Sequence, residues 1–396
     1  MSEVRIRVFT ELEELESLSS LWDGLLQKCG DEKSIYLTHE WITTWWRHFG
    51  KDKQLNILLA EKDHQAVGIV PLMKTEYKIG FLRLHALETI GPVNCNLVWL
   101  VLPESREEVM NEFLSYLEEE LAKSKLVLRL TLVPDDSKLL NLLKRHEYQI
   151  AKKLAVRESF KTLAPYIALP LSWEELYCSL SHNRRWVLRK KLSILEKEHS
   201  VEFQEYTADN LFDRLNEFIE LHQRRWQSVS VKGVFSNPRM KEFYKDIAIR
   251  FHEKNWLHFS FLNIDGAMAS GEFGYIYNGK LYGATAGRDT KYSRYSIGHL
   301  HYMFMTKDAI RRGLRELDFL KGAEPYKFYW TKTARKYMNI LIINKGIFPG
   351  LRLRLVHIFL RLWEIRQYSL KEIYFLRLLK WKEEKEMRRM GLKLPR

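Results

Sequence analysis

Cysteine is scarce in this chain of 396 residues. Its three cysteines, Cys29, Cys95 and Cys178, stand singly, without the paired spacing of a zinc site or a disulfide framework. No apolar run approaches the roughly 18–20 residues that span a bilayer, and the N-terminal residues lack the apolar core of a secretory signal. These absences predict a protein without a metal site or a transmembrane helix, in the reduced cytoplasm.

Basic charge, in contrast, is abundant. The formal net charge is +14, while 46% hydrophobic and 29% charged residues are ordinary for a globular chain long enough for two domains. Residues 351–396 hold thirteen Lys/Arg and five Asp/Glu, so this tail carries +8 and the preceding residues carry +6. We expect an anionic partner, and the tail is the main basic element.

The first half alternates short strands with amphipathic helices. A helix over His39–Phe49, paired strands at Leu55–Ala60 and Ala66–Met73 and a helix over Arg106–Ala122 predict an α+β unit. No Gly-rich turn precedes the Arg106 helix, so we interpret this half as a degenerate partner that shapes an acceptor cleft. A link to the second half is expected at Ala164–Pro170. Further elements are predicted at Leu12–Cys29, Leu97–Leu102, Ser137–Arg145 and Tyr148–Val156.

The second half is organised around a strand, a turn and a helix. Lys280–Arg288 (KLYGATAGR) is typical of a strand rich in small residues, and a helix begins after Ser296. The amides of a helix's first turn lack internal partners and carry partial positive charge, so this corner can hold an anion. Ser296 is expected to cap the helix, Gly298 to admit a phosphate and Arg294 to add positive charge. A single Gly is equally compatible with a plain tight turn.

Hairpins precede this corner and a short strand follows it. Leu257–Ile264, Ala267–Tyr277 and the Asn278–Gly279 turn predict an antiparallel sheet that leads into the small-residue strand. After the helix, LDFLKGAEPYKFYW places Asp318 on a strand and the aromatic residues from Tyr326 onward on a second helix.

The succession YSRYSIGHL, LDFLKG, AEPYKFYW resembles the second half of the CelD/BcsL-like acetyltransferases, a branch of the GNAT acyltransferase superfamily. THEWITTWWRHFG, NRRWVLRKKLSILEKE and LHQRRW are similar to further signatures of that family, so the resemblance covers roughly residues 5 to 346. It implies an α+β protein with two tandem GNAT-like acyltransferase domains, whose mixed, mostly antiparallel sheets are flanked by helices. The domains would be 1–168, degenerate, and 169–348, which binds acyl-CoA, followed by a basic amphipathic helical tail at 349–396.

The resemblance also implies acetyl-CoA as donor and transfer to nitrogen or oxygen of a sugar, amino-sugar or other polysaccharide or envelope precursor. Small residues of the strand would leave room for the pantetheine arm, although close packing against a helix explains them as well. The donor-binding residues would be Thr285, Ala286, Gly287, Arg294, Tyr295, Ser296, Gly298 and His299.

Acyl transfer also needs groups that move protons. Glu272 is the first candidate base and Asp318 the second, although Glu272 is equally compatible with an exposed strand charge and Asp318 with a turn cap. Tyr326 and Tyr329 stand where GNAT enzymes often place a tyrosine acid, although such aromatics are commonly core residues. The acceptor would meet Arg225, Trp226 and Lys327.

The sequence leaves two questions open, the role of the tail and the nature of the donor. Leu351–Leu379 is typical of basic amphipathic helices, which either lie on an anionic membrane or dock on the protein body, and Lys380–Arg396 is expected to be a frayed end. The related Fem-type transferases use aminoacyl-tRNA, so tRNA is the one nucleic acid that stays a candidate partner, and a non-catalytic binding protein with the same fold is a third alternative. The location expected is cytoplasmic, with peripheral attachment to the inner face of the cell membrane as an option.

Overall fold

The computed structural model describes residues 3–29, 34–91, 99–124, 126–137, 139–141, 153–229, 231–366 and 370–389. The chain forms two compact units: Met1–Thr162 with Lys336–Ser369 make unit 1, and Leu163–Arg335 with Leu370–Arg396 make unit 2. The elements predicted at Leu97–Leu102, Ser137–Arg145 and Tyr148–Val156 lie partly outside the described residues.

The helices are α1 (Leu12–Ser17), α2 (Ser19–Lys28), α3 (His39–Phe49), α4 (Arg106–Ser124), α5 (Trp173–Ser179), α6 (His182–Glu198), α7 (Leu211–Gln227), α8 (Pro238–Glu253), α9 (Ile297–Arg311), α10 (Pro349–Arg366) and α11 (Leu370–Arg389). The strands are β1 (Arg5–Phe9), β2 (Gln54–Lys62), β3 (Gln65–Ile79), β4 (Leu82–Thr89), β5 (Leu100–Val101), β6 (Val127–Pro134), β7 (Leu154–Ala168), β8 (Val201–Glu205), β9 (Leu257–Ile264), β10 (Ala267–Tyr277), β11 (Lys280–Arg288), β12 (Glu316–Asp318) and β13 (Ala334–Asn344).

Unit 1 holds a mixed sheet in the order β1-β2-β3-β4-β6-β13, with β5 beside β3. The strands β1 to β4 pair antiparallel with their chain neighbours, and short turns join β2 to β3 and β3 to β4. The helix α4 crosses the sheet, so β4 and β6 pair parallel, over residues 86–88 and 127–129. Trp41 and Trp45 of α3 are buried, so this aromatic face packs in the core of unit 1.

A buried ion pair lies at the last residue pair of the parallel strands β4 and β6, Glu88 and Arg129. Arg129 donates to Glu88 at 2.9 Å and to the Tyr77 hydroxyl at 2.9 Å, and it reaches Glu364 of α10 at 2.7 Å. Trp363 of α10 packs edge-on against Tyr77, with ring centroids 4.7 Å apart. The inner face of α10 therefore docks on unit 1, which is one of the two alternatives for the tail.

We expect Arg129→Met to lower the free energy of unfolding by about 3–5 kcal/mol, because Glu88 would stay buried without its cation. Denaturant unfolding of both proteins at neutral pH measures the change. The matched control is Arg7→Met, because Arg7 pairs with Glu61 at 3.0 Å while 59% of its own side chain is exposed; that change should cost less than about 1 kcal/mol. Equal losses in the two variants would contradict the assignment.

Unit 2 holds a sheet in the order β7-β12-β11-β10-β9-β8, to which β7 contributes its end. The strands β9, β10 and β11 pair antiparallel as predicted, and Asn278 and Gly279 turn with φ of 47° and 69°. The link between the halves predicted at Ala164–Pro170 begins just after the boundary between the units at Thr162 and Leu163, and most of it is part of the strand β7, because residues 166–168 pair with β12.

Three predicted helix bounds also differ from the structure. The helix expected from Tyr326 onward is a single 3₁₀ turn, Lys327–Tyr329, because the chain must enter β13 at Ala334. The frayed end expected from Lys380 is instead part of α11, whose Met387 is buried. The helix predicted over Leu12–Cys29 is interrupted at Leu18, between α1 and α2.

Candidate active site

The candidate site opens where β11 leaves β12. The two strands pair parallel only over residues 280–282 and 316–318. Beyond Tyr282, β11 continues to Arg288 and pairs with β10 on its other side. Among the described residues, the backbone groups of residues 283–288 that face away from β10 therefore have no strand partner. This open edge of β11 can accept an extended ligand as if it were a further strand.

The helix α9 begins directly beyond the open edge. Ser296 occupies the N-cap position with φ 55° and ψ 43°, and its side chain makes no capping hydrogen bond, so the predicted cap is wrong. Its carbonyl accepts from the amides of His299 and Leu300 at 2.8 and 3.2 Å. The amides of Ile297 and Gly298 have no backbone partner among the described residues. Two peptide N–H groups are thus available at the positive end of the helix dipole.

Three arginines, from β11, α6 and α7, interact with the first turn of this helix or with each other. Arg288, the last residue of β11, lies over Gly298: a methyl group built on that glycine would sit 3.0 Å from Arg288 Nη1. The pKa of His299 is lowered to about 4, mainly by burial and further by the charges of Arg288 and of Arg184 in α6. Burial and the charge of Arg288 likewise lower the pKa of Arg225 in α7. The charge of Arg288 therefore acts on both His299 and Arg225, and the charge of Arg184 acts on His299.

No carboxylate in the described part of the chain forms a salt bridge with Arg184, Arg225 or Arg288. Arg184 instead stacks on the Tyr329 ring, 5.2 Å from its centroid. Unneutralised guanidinium groups beside open helix amides are typical of sites for phosphate groups. We call Arg184, Arg225 and Arg288 the arginine cluster.

Glu272 of β10 is buried beside the first residue of the open edge. Its Oε1 lies 2.9 Å from where a Gly283 methyl group would be, so Gly283 makes room for the carboxyl group. Burial raises the pKa of Glu272 to about 8, against the opposing effects of the Tyr302 hydroxyl and of Lys327. Only 4% of the residue is exposed, which excludes the alternative of an exposed strand charge.

Residues 182–328 match the family model described as "Acetyltransferase (GNAT) domain". The matched stretch contains the open edge of β11, the arginine cluster and Glu272. Unit 2 thus contains a GNAT acetyltransferase domain. The match covers less than half of the chain, and no curated protein matches.

Solved structures extend the likeness to most of the chain. The crystal structure of FemX is 12% identical with a TM-score of 0.57, covering 89% of this chain and 99% of that one. A protein of unknown function from Bacteroides thetaiotaomicron is 14% identical with a TM-score of 0.52, over 85% and 100% of the two chains. A tandem GNAT protein from the clavulanic acid biosynthesis pathway is 11% identical with a TM-score of 0.50, over 87% and 99%.

These likenesses show the fold, which is the predicted pair of tandem GNAT-like domains. The wider part of the predicted resemblance, the GNAT superfamily, is confirmed, and the protein is of the acyltransferase type. Its place in the CelD/BcsL-like branch stays a prediction. Among the described residues, no group of His, Cys, Asp and Glu side chains is arranged to hold a metal ion.

In the GNAT domain, Tyr302 connects Glu272 to the surface. Its hydroxyl lies 3.5 Å from Glu272 Oε2, and its ring stacks on Tyr326 with centroids 5.8 Å apart. Tyr326 is 38% exposed, so it reaches solvent beside the buried pair. Tyr302 was not among the predicted site residues, and the sequence offers no signal for it beyond an aromatic side chain with a hydroxyl group on α9.

The second carboxylate candidate and the predicted acceptor lysine hold the loop that follows β12 in the GNAT domain. Asp318 accepts from the Leu320 amide at 2.7 Å and lies 3.4 Å from Arg335; burial raises its pKa to about 6, against Arg335. Lys327 is buried and pairs with Glu324 at 2.9 Å. Its Nζ also donates to the carbonyls of Leu320, Lys321 and Gly322. These contacts favour positioning roles for both residues.

Arg294 and Tyr295 fasten the turn before α9 to α6. Arg294 donates to Glu198 at 2.6 Å, and the Tyr295 hydroxyl donates to the same carboxylate. Lys191 donates to the Arg294 carbonyl at 2.5 Å. The charge of Arg294 is therefore already paired, which favours a positioning role over contact with a donor.

Of the remaining residues predicted to bind the donor, some contact neighbouring elements of the domain and one is exposed at the open edge. A methyl group on Gly287 would sit 3.2 Å from the His222 amide of α7, so this glycine admits the helix, as the packing alternative proposed. Thr285 hydrogen-bonds Tyr244 at 2.5 Å, and Ala286 is exposed.

Two predicted contact residues have their polar groups engaged within the domain. Trp226 donates its indole N–H to His222 Nε2 at 2.9 Å, within α7. Tyr329 donates its hydroxyl to the Arg184 carbonyl at 2.8 Å, and its ring lies 4.1 Å from that of His299. Tyr329 therefore supports the arginine cluster, and Tyr326 is the better placed of the two candidate acids.

Proposed function

We propose that this protein is an N- or O-acyltransferase that uses acyl-CoA, with acetyl-CoA as the donor. One observation supports acyl-CoA as the donor. The open edge of β11 leads directly to the two unpaired amides of α9 and to the arginine cluster. An extended pantetheine arm would add to the open edge through backbone hydrogen bonds. The diphosphate would then lie on the amides of Ile297 and Gly298, where positive charge is concentrated.

The thioester would lie where β11 and β12 separate, next to Gly283 and Glu272. An acceptor amine or hydroxyl attacks the thioester carbon, forming the new C–N or C–O bond as the C–S bond breaks. The Glu272 carboxylate accepts the acceptor's proton through Tyr302, and Tyr326 protonates the departing thiolate. Amides of the open edge stabilise the negative charge that develops on the carbonyl oxygen.

The acceptor we propose is a sugar, an amino-sugar or another polysaccharide or envelope precursor at the inner face of the cell membrane. This part rests on the resemblance of the sequence to the CelD/BcsL-like enzymes. Arg225 is the predicted acceptor-side residue that instead belongs to the arginine cluster, so we assign it to the donor.

A second candidate is a Fem-like transfer from aminoacyl-tRNA. The likeness to FemX over 89% of this chain supports it. The arginine cluster would suit a nucleic-acid phosphate as well as CoA.

Calorimetry and thermal unfolding with acetyl-CoA, desulfo-CoA and aminoacyl-tRNA separate these candidates. We expect acetyl-CoA to stabilise the fold by about 2.7 kcal/mol at a hundred times its Kd, and tRNA to have no effect. Gly298→Asp should weaken acetyl-CoA binding at least about tenfold, because the new carboxylate would meet Arg288 and repel the diphosphate.

Gly24→Asp is the matched control, since nothing lies within 4 Å of a methyl group built on Gly24. Stabilisation by tRNA alone would favour the Fem-like candidate. Equal acetyl-CoA binding by Gly298→Asp and the wild type would remove the assigned donor site.

A further inference from the structure

The helix α10 has a second apolar face, which points into solvent. Leu353 and Leu360 are buried in the core of unit 1, with Trp363 partly buried against them. The residues Leu351, Leu355, Ile358, Leu362 and Ile365 are between 47% and 56% exposed. They stand alternately four and three residues apart, so they form one stripe along the helix opposite the docked side. We call these five residues the outer stripe.

The apolar surface continues beyond the N-terminal end of the helix. Ile347 and Phe348, just before Pro349, are 80% and 73% exposed. An amphipathic helix normally buries its apolar stripe and turns a polar face to water. The helix α10 instead has apolar residues on both sides, so the docking of its inner face leaves the outer stripe unexplained. A contiguous exposed apolar surface of this kind marks an interaction site.

The charges beside the outer stripe indicate the kind of surface that the stripe binds. Arg354 and Arg361 are exposed and lie along one flank of the stripe, while Arg352 and Arg366 lie along the other. The single acidic residue of α10 is Glu364, which is bound to Arg129 at 2.7 Å. The outward face is therefore apolar along its centre and positively charged on both sides.

This pattern disfavours pairing with a second copy of the chain. Two such helices would oppose arginines to arginines, and neither would offer a free carboxylate to bridge them. A bilayer with anionic lipids satisfies both parts of the pattern, because the stripe enters the boundary between headgroups and acyl chains and the arginines meet phosphates. No helix in the described part of the chain is long and apolar enough to cross a membrane, so contact would be in the plane of the surface.

We infer that the outer stripe of α10 docks this protein on the surface of an anionic lipid bilayer. The inference does not depend on acyl transfer, since α10 belongs to unit 1 and the donor site to unit 2. It does specify where the proposed envelope precursor would be met: at the membrane face rather than in bulk solution.

Flotation of the full-length protein with vesicles tests the inference. We expect the protein to float with phosphatidylcholine vesicles that contain phosphatidylglycerol, not with pure phosphatidylcholine, and added salt should weaken the binding. Arg354→Gln/Arg361→Gln should weaken it about 25-fold, or about fivefold for each charge. Leu355→Gln/Leu362→Gln should also weaken it, because the apolar contact is lost. Thermal unfolding of each variant should match the wild type, since all four side chains face outward.

Lys28→Gln/Lys51→Gln is the matched control, because it removes the same charge from exposed positions elsewhere on unit 1. It should leave vesicle binding within about twofold of the wild type. Absence of wild-type flotation with anionic vesicles would overturn the inference. So would a dimer, detected by light scattering, that Leu355→Gln/Leu362→Gln converts to a monomer without any change in flotation.

Discussion

Glu272→Gln should lower kcat by about 10²–10⁴-fold while leaving the affinity for acetyl-CoA nearly unchanged. The buried carboxylate is the proposed base, and the amide of glutamine keeps its shape but accepts no proton at working pH. Steady-state transfer assays with a responsive acceptor measure kcat, and calorimetry measures donor affinity.

The pH profile distinguishes this base from the other candidate. Only the carboxylate form can accept a proton, so kcat/KM should rise about tenfold per pH unit and level off above the pKa of the base. Burial raises the pKa of Glu272 to about 8 and that of Asp318 to about 6, so the two assignments place the plateau differently. A plateau that begins near 6, with kcat lost in Asp318→Asn rather than in Glu272→Gln, would assign the base to Asp318 instead.

The thermal stability of Glu272→Gln shows whether a loss of activity comes from lost catalysis or from lost folding. An unfolded glutamate titrates near 4.5, whereas folded Glu272 holds its proton up to about 8. Between these values the native state binds more protons than the unfolded state, so this residue makes the protein less stable as pH rises. Glutamine carries no such penalty. Glu272→Gln should therefore unfold at the same temperature as the wild type or a higher one at neutral pH.

Arg184→Gln/Arg288→Gln should raise the Kd for acetyl-CoA about 100-fold or more, with kcat at saturating donor close to that of the wild type. Each guanidinium group is expected to donate charge-assisted hydrogen bonds to a donor phosphate, and such bonds contribute about 1.5–3 kcal/mol each. Calorimetry at low and moderate ionic strength gives the Kd values, and the variant should show the weaker salt dependence.

Arg294→Gln is the matched control for the arginine cluster. Arg294 lies in the turn just before α9, but its charge is already paired with Glu198 at 2.6 Å. Its replacement should change the Kd no more than about threefold, as for other exposed ion pairs. A larger loss of donor affinity in Arg294→Gln than in Arg184→Gln/Arg288→Gln would mean that the donor phosphates contact Arg294 rather than the arginine cluster.

Much of the architecture was predictable because its signals are local. The bounds of β9 and β10 agree with prediction to the residue, since alternating strands there end at turns that need positive φ. The helix α3 is equally well bounded, because Thr38 caps it by accepting from the Trp41 amide. The corner between β11 and α9 was also found, from small residues followed by a helix start.

The chemistry of that corner was less predictable because it depends on contacts between distant segments. Arg288 and Arg184 come from a strand and a helix far apart in the chain, and no local pattern indicates that both act on His299. At Ser296 the residue type led to a wrong prediction, because the left-handed backbone there leaves the helix without the expected side-chain cap. The same holds for Gly287, whose missing side chain admits α7 rather than a ligand.

The path of the chain through β13 has a consequence for synthesis on the ribosome. The strand β13 completes the sheet of unit 1 by pairing with β6 over residues 337–343 and 127–134, and α10 follows it. A nascent chain that ends at Thr162 therefore lacks both one of the two strand partners of β6 and the helix that covers Arg129. The N-terminal unit stays unfinished until the whole GNAT domain has emerged, so a gene cut between the two units would encode an incomplete half.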